Sequence, residues 1–217
     1  MIEVISITLV IIGALIGAGF ASGQEIFSFF YIYGKNGIYG ILIMSILIGI
    51  FIYKSLKIIY QKQVYNYNDF LNLFIKNTKI RNVILWIVNV LLLVSFYIMV
   101  AGFGAYFEQE IGINRIIGSI VLNLLCVIVF FSNIKGVLKA SNLIVPFLIF
   151  FIFFIGIKNI VQIRTIDFHQ MKNNWILSMI IYNSYNFILL MPVLISLKKQ
   201  ITKEKNIKKV SILVTII

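Results

Sequence analysis

The sequence predicts an all-α fold, a polytopic bundle of transmembrane helices. Three observations carry that reading. The 217-residue chain is 61% hydrophobic and has a mean hydropathy of +1.02, far from the composition of a soluble domain. Its apolar residues gather in long runs, most of them near or above the roughly 20 residues that a helix needs to cross a bilayer. Its basic residues gather in the links between those runs.

Six spans can be placed in order: about Val4–Tyr33, Ile38–Tyr60, Val83–Phe107, Ile116–Phe131, Leu138–Ile157 and Trp175–Leu197. A seventh apolar run opens at Val210 and the sequence stops at Ile217. So short a segment cannot cross a bilayer as a helix, and the chain reads as truncated within a longer protein. The links after spans two, four and six hold fourteen Lys and Arg residues, against five on the opposite side. The positive-inside rule then puts the N-terminus in the cytoplasm. It also accounts for the net charge of +12 without a nucleic-acid partner. The longest link, Lys54–Asn82, carries Tyr65, Tyr67, Phe70, Leu71 and Phe74 among its charges. It reads either as an amphipathic helix on the inner surface or as an ordinary cytoplasmic loop helix. Cys126 and His169 are the sole residues of their kinds. They permit no intramolecular disulfide and no metal site of the usual spacing.

Span one is the exception to simple hydropathy. As one straight helix it would measure about 45 Å, against a hydrocarbon core of about 30 Å. In its middle stand Gly17, Ala18, Gly19, Phe20, Ala21, Ser22, Gly23, Gln24 and Glu25. Glycines lower the cost of leaving the helix, and irregular backbone at membrane depth is tolerated where it lines a cavity. A break here frees carbonyls for a cation and amides for an anionic group. The competing reading makes Gly13 with Gly17, and Gly19 with Gly23, close-packing faces. Glu25 is the acidic residue set well inside an apolar span. It is either a proton carrier or cation ligand, or a vestibule residue facing water or a basic partner.

Span six holds the second cluster, Tyr182, Asn183, Ser184, Tyr185 and Asn186, followed by Pro192. Asn183 and Asn186 share a helical face, as site residues or as interhelical hydrogen-bond glue. Pro192 in span six and Pro146 in span five predict kinks. In span three, Tyr97 is a candidate for the cavity, and Gly102 and Gly104 follow it. Spans one and six lie five apart. That is the spacing of the opening helices in transporters built from two inverted five-helix repeats, where solute and ions bind between discontinuous helices.

The string from Gly17 to Gly40, GAGFASGQEIFSFFYIYGKNGIYG, resembles the opening of the bacterial YkvI-like membrane protein family, regarded as amino acid permeases. That family is similar in turn to the amino acid–polyamine–organocation superfamily with its leucine-transporter-like fold. The resemblance implies the first five-helix repeat plus the sixth helix of such a fold, in the bacterial cytoplasmic membrane. It implies ten or more spans in a complete protein. It marks Gly17–Glu25 as the unwound element.

The functional expectation is a secondary active transporter, a permease for amino acids or related small amine-bearing solutes, coupled to sodium or protons. Gly17 to Ser22 would supply backbone ligands. Asn183, Ser184 and Asn186 would supply polar side chains, and Glu25 would serve coupling or gating. The expected partners are the lipid bilayer and a small solute, with no organic cofactor and no metal centre. A receptor or sensor using the same pocket without transport is the main rival. An enzyme is disfavoured, since no span brings together a nucleophile and a histidine or paired acids.

Overall fold

The computed structural model describes residues 2–17, 20, 23–162 and 172–217. Ala18, Gly19, Ala21 and Ser22, four residues of the expected span-one site, lie outside the described residues. The chain begins with α1 (Ile2–Leu15) and α2 (Gln24–Phe29), then a 3-10 turn at Tyr31–Tyr33. Next come α3 (Lys35–Gln61), a short α4 (Tyr67–Asn72) and α5 (Thr78–Tyr106), which runs into a π turn at Phe107–Ile111. Then follow α6 (Arg115–Phe131), α7 (Asn133–Gln162) and α8 (Trp175–Ser196), a 3-10 turn at Leu197–Gln200, and α9 (Glu204–Ile216).

Four segments are long and apolar enough to span a membrane: Lys35–Gln61, Thr78–Ile111, Asn133–Asn159 and Trp175–Gln200. They coincide with expected spans two, three, five and six. Span four is the 17-residue α6, about 26 Å long. Span one is divided between α1 and α2. The protein is therefore an all-α, multi-span membrane helical bundle. Its outward surfaces suit lipid: Trp86, Ile98, Phe130 and Phe131 are all strongly exposed.

Local chemistry sets several of the helix starts. Asn66, Asn77 and Asn114 each turn a side-chain oxygen onto backbone N–H groups of the first turns of α4, α5 and α6. Such caps satisfy donors that a helix start leaves free. The Lys54–Asn82 link does contain a helix, α4, with Leu71 buried.

The core lies where α1, α3, α8 and α9 meet. Ile7 and Ile11 on α1, Ile52, Leu56 and Ile59 on α3, Leu194 on α8, and Ile207 and Val210 on α9 are almost fully buried. The α3 residues recur every three or four positions, so one stripe of that helix faces inward. Phe51 stacks on Phe187 at 4.0 Å, locking α3 to α8. Gly13 lets α1 approach α7, since a Cβ there would lie 2.9 Å from Val145. Gly49 lets α3 approach Thr215 of α9.

At the lysine-rich end, polar contacts close the bundle. Glu3, just ahead of the apolar run that starts at Val4, accepts hydrogen bonds from the Thr202 N–H at 2.9 Å, the Thr202 hydroxyl at 2.7 Å and the Asn206 amide at 3.1 Å. The Lys198 ammonium sits over the Tyr65 ring, 3.2 Å from its centroid. Partial burial pushes the Glu3 carboxyl up, but the donors from Thr202 and Asn206 outweigh it and hold it below its ordinary value of 4.5. A depressed pKa contributes stability above the ordinary value, and that contribution is lost as pH falls through the folded value. Thermal unfolding in detergent is therefore expected to lose stability below about pH 4.5, and Glu3→Ala should show a smaller loss over the same range. Equal acid sensitivity in both proteins would contradict it.

Candidate functional site

The site is built where the regular helix of span one ends. The regular helix α1 stops at Leu15, and α2 begins at Gln24 after Gly23 in the left-handed conformation, φ 78°. Only glycine adopts that conformation at little cost. Among the described residues, a Cβ at Gly17 or at Gly23 would meet no atom within 4 Å, in contrast to Gly13. The packing alternative holds for Gly13 alone among the described members of those two pairs.

The second wall is α8. Ser178, Tyr182 and Tyr185 stand at i, i+4 and i+7, on one helical face. The Ser178 hydroxyl donates to the Phe29 carbonyl at 3.0 Å. The Tyr182 hydroxyl donates to Glu25 Oε2 at 3.1 Å, and the Tyr185 hydroxyl donates to Glu25 Oε1 at 3.4 Å. Phe29 and Phe30 pack on the Tyr182 ring at 5.0 and 5.2 Å. Glu25 is partly buried. Among the described residues no basic side chain pairs with it; the one ion pair is Arg115 with Glu108, at 3.4 Å.

Below this cluster lies a cavity of about 430 Å³. Leu15, Ile16 and Phe20 of span one line it, with Ser45 of α3 and Tyr182 and Asn186 of α8. Its walls are mostly apolar, with a few polar groups, and no charged side chain lines it among the described residues. That balance suits small-molecule recognition.

Asn186 is buried, and its side-chain amide donates to the Tyr182 carbonyl at 2.9 Å. Asn183 is only 4% exposed, yet among the described residues neither its Oδ1 nor its Nδ2 has a hydrogen-bond partner. Buried polar side-chain atoms are normally paired. Asn183 does not line the cavity.

Other expected members lie elsewhere. Ser184 is exposed, and its hydroxyl bonds back to the Ile180 carbonyl at 2.8 Å. Tyr97 is 66% exposed on α5, a helix exposed on most of its faces among the described residues, and it does not line the cavity. Gln24 is exposed. Span six is not broken either: α8 runs without interruption through 182–186 and through Pro192. It holds no glycine, and Ser184 and Asn186 spend their side-chain donors on their own helix. Pro146 likewise sits inside the continuous α7.

Sequence reasoning missed Ser178, Ser45 and the pairing of both tyrosines with Glu25. The i, i+4, i+7 polar stripe on α8 was the available signal. No signal announced Ser45.

The chain is similar to the Bacillus subtilis (strain 168) protein described as uncharacterized membrane protein YkvI, at 30% identity over 212 residues. The match takes in 92% of this chain, which spans 58% of the length of that relative. No protein-family model matches, and no solved structure matches.

Proposed function

We propose that the chain forms part of a secondary active transporter carrying amino acids or related small amine-bearing solutes across the cytoplasmic membrane, coupled to sodium or protons. The observation that carries this reading is the cavity of about 430 Å³ lined by Leu15, Ile16 and Phe20 of span one, by Tyr182 and Asn186 of α8 and by residues of α3, α7 and α9. A discontinuous helix facing a second helix five spans later is how many such transporters build a midplane site. On this reading the six spans are the first five-helix repeat of a leucine-transporter-like fold and the opening helix of the second. On the same reading the N-terminus is cytoplasmic, which the split of basic residues supports.

The test is uptake of labelled amino acids and amines into proteoliposomes holding the full-length protein, under imposed sodium or proton gradients. The expected result is accumulation that collapses when the gradient is dissipated. Saturable solute binding with no vectorial uptake would overturn the transporter reading in favour of a receptor or sensor using the same pocket.

A further inference from the structure

The Glu25 cluster has a composition that the cavity does not share. It joins one carboxylate, two phenol hydroxyls and a wall of aromatic rings. The carboxylate accepts one hydrogen bond on each oxygen, from Tyr182 and Tyr185. An ionised carboxylate has about four lone-pair sites, so acceptor capacity remains on both oxygens. No described basic side chain takes it up. The rings of Phe29 and Phe30 close on Tyr182, and Tyr185 stands 6.1 Å from it. Aromatic faces beside a carboxylate favour an organic cation over a neutral group. Tyr182 belongs to both regions, since its hydroxyl reaches Glu25 and its side chain lines the cavity.

We infer that Glu25, held by Tyr182 and Tyr185, is the ammonium-recognition site, and that the preferred solute is a primary amine whose apolar body fills the cavity. The inference rests on the proposed transport reading and narrows its solute class. Among the described residues the cavity lining carries no charged side chain, whereas Glu25 offers a carboxylate to an ammonium group. On this inference the amine is the group that is recognised, and a solute carboxylate is not required. Tyr182 and Tyr185 are positioning residues that orient the carboxylate; Glu25 contacts the solute.

The experiment compares three ligands of similar carbon skeleton on the full-length protein: isoamylamine, leucine and isocaproate. Direct binding is measured by calorimetry in detergent and uptake in proteoliposomes. Isoamylamine and leucine should bind comparably, and isocaproate should not bind. Glu25→Gln should weaken isoamylamine binding by at least about tenfold, the scale of a lost hydrogen bond to a charged group. Tyr185→Phe removes a hydroxyl from a partly exposed ring and should weaken it less, without loss of thermal stability. It is the variant to rely on if Glu25→Gln does not fold. Isocaproate binding as well as isoamylamine would overturn the inference. So would leucine transport that both variants leave unchanged, although the transport reading would stand. Isoamylamine binding that depends on Glu25 in a protein that transports nothing would support the site and overturn the transport reading.

Discussion

Replacing Asn183 by Leu is expected to raise thermal stability and to reduce solute uptake. The residue is 4% exposed, and both polar atoms of its carboxamide lack partners among the described residues. A buried polar group left unsatisfied costs about 1–3 kcal/mol. A bundle surrounded by hydrocarbon offers little water to relieve it. Leu keeps the branched skeleton and removes the unsatisfied atoms, so the folded state should gain stability. The expected loss of uptake follows from the place of Asn183 on α8, between Tyr182 and Asn186. A polar atom kept at such a cost is a mark of function rather than of packing. Asn186→Leu should behave differently, because that amide bonds to the Tyr182 carbonyl at 2.9 Å. Its removal should lower both stability and uptake. Thermal unfolding in detergent and uptake in proteoliposomes, run on both variants, read the four signs. A destabilised Asn183→Leu protein would show that the amide is satisfied and would defeat the argument.

Hydropathy carried much of the fold, because crossing a bilayer imposes a length and a composition that can be read directly. Spans two, three, five and six emerge as long helices close to their expected limits. Phase is harder to read. Tyr97 is a cavity candidate by type, but α5 is exposed on most of its faces, so exposure there does not mark which side of the helix faces the site. In a membrane helix both faces are apolar, so the hydrophobic pattern that fixes phase in soluble helices is weak. Ser184 and Asn186 illustrate a different limit. Serine and asparagine can bond their own helix or a neighbour, and composition does not choose between them. Glu25 was legible as an anomaly. Its two tyrosine partners were not, because their contacts join residues about 160 positions apart in the chain.

The end of the site beside α2 depends on a contact that no polar motif announces. Gly37, in the first turns of α3, lies against the backbone of Phe30, and a Cβ there would run into the Phe30 carbonyl group. Backbone cannot swing aside as a side-chain tip can, so the whole turn at Tyr31–Tyr33 would have to shift. Overpacking of this kind costs about 1–3 kcal/mol, occasionally more. Gly37→Ala is therefore expected to lower the unfolding temperature clearly. Gly102→Ala, where a Cβ meets nothing within 4 Å, should leave stability unchanged or raise it by about 0.5–1 kcal/mol as helix propensity dictates. The effect of Gly37→Ala should also reach the ligand. The Phe30 ring packs edge-on against Tyr182 at 5.2 Å, and Tyr182 holds Glu25. Moving Phe30 removes the support that places the tyrosine hydroxyl on the carboxylate. The folded fraction of Gly37→Ala protein should then bind isoamylamine more weakly than the parent, in the same direction as Tyr185→Phe. Unchanged stability together with unchanged amine binding would show that α2 and α3 are not coupled through this contact. A stability loss with full amine affinity would separate the packing role of Gly37 from the geometry of the Glu25 site.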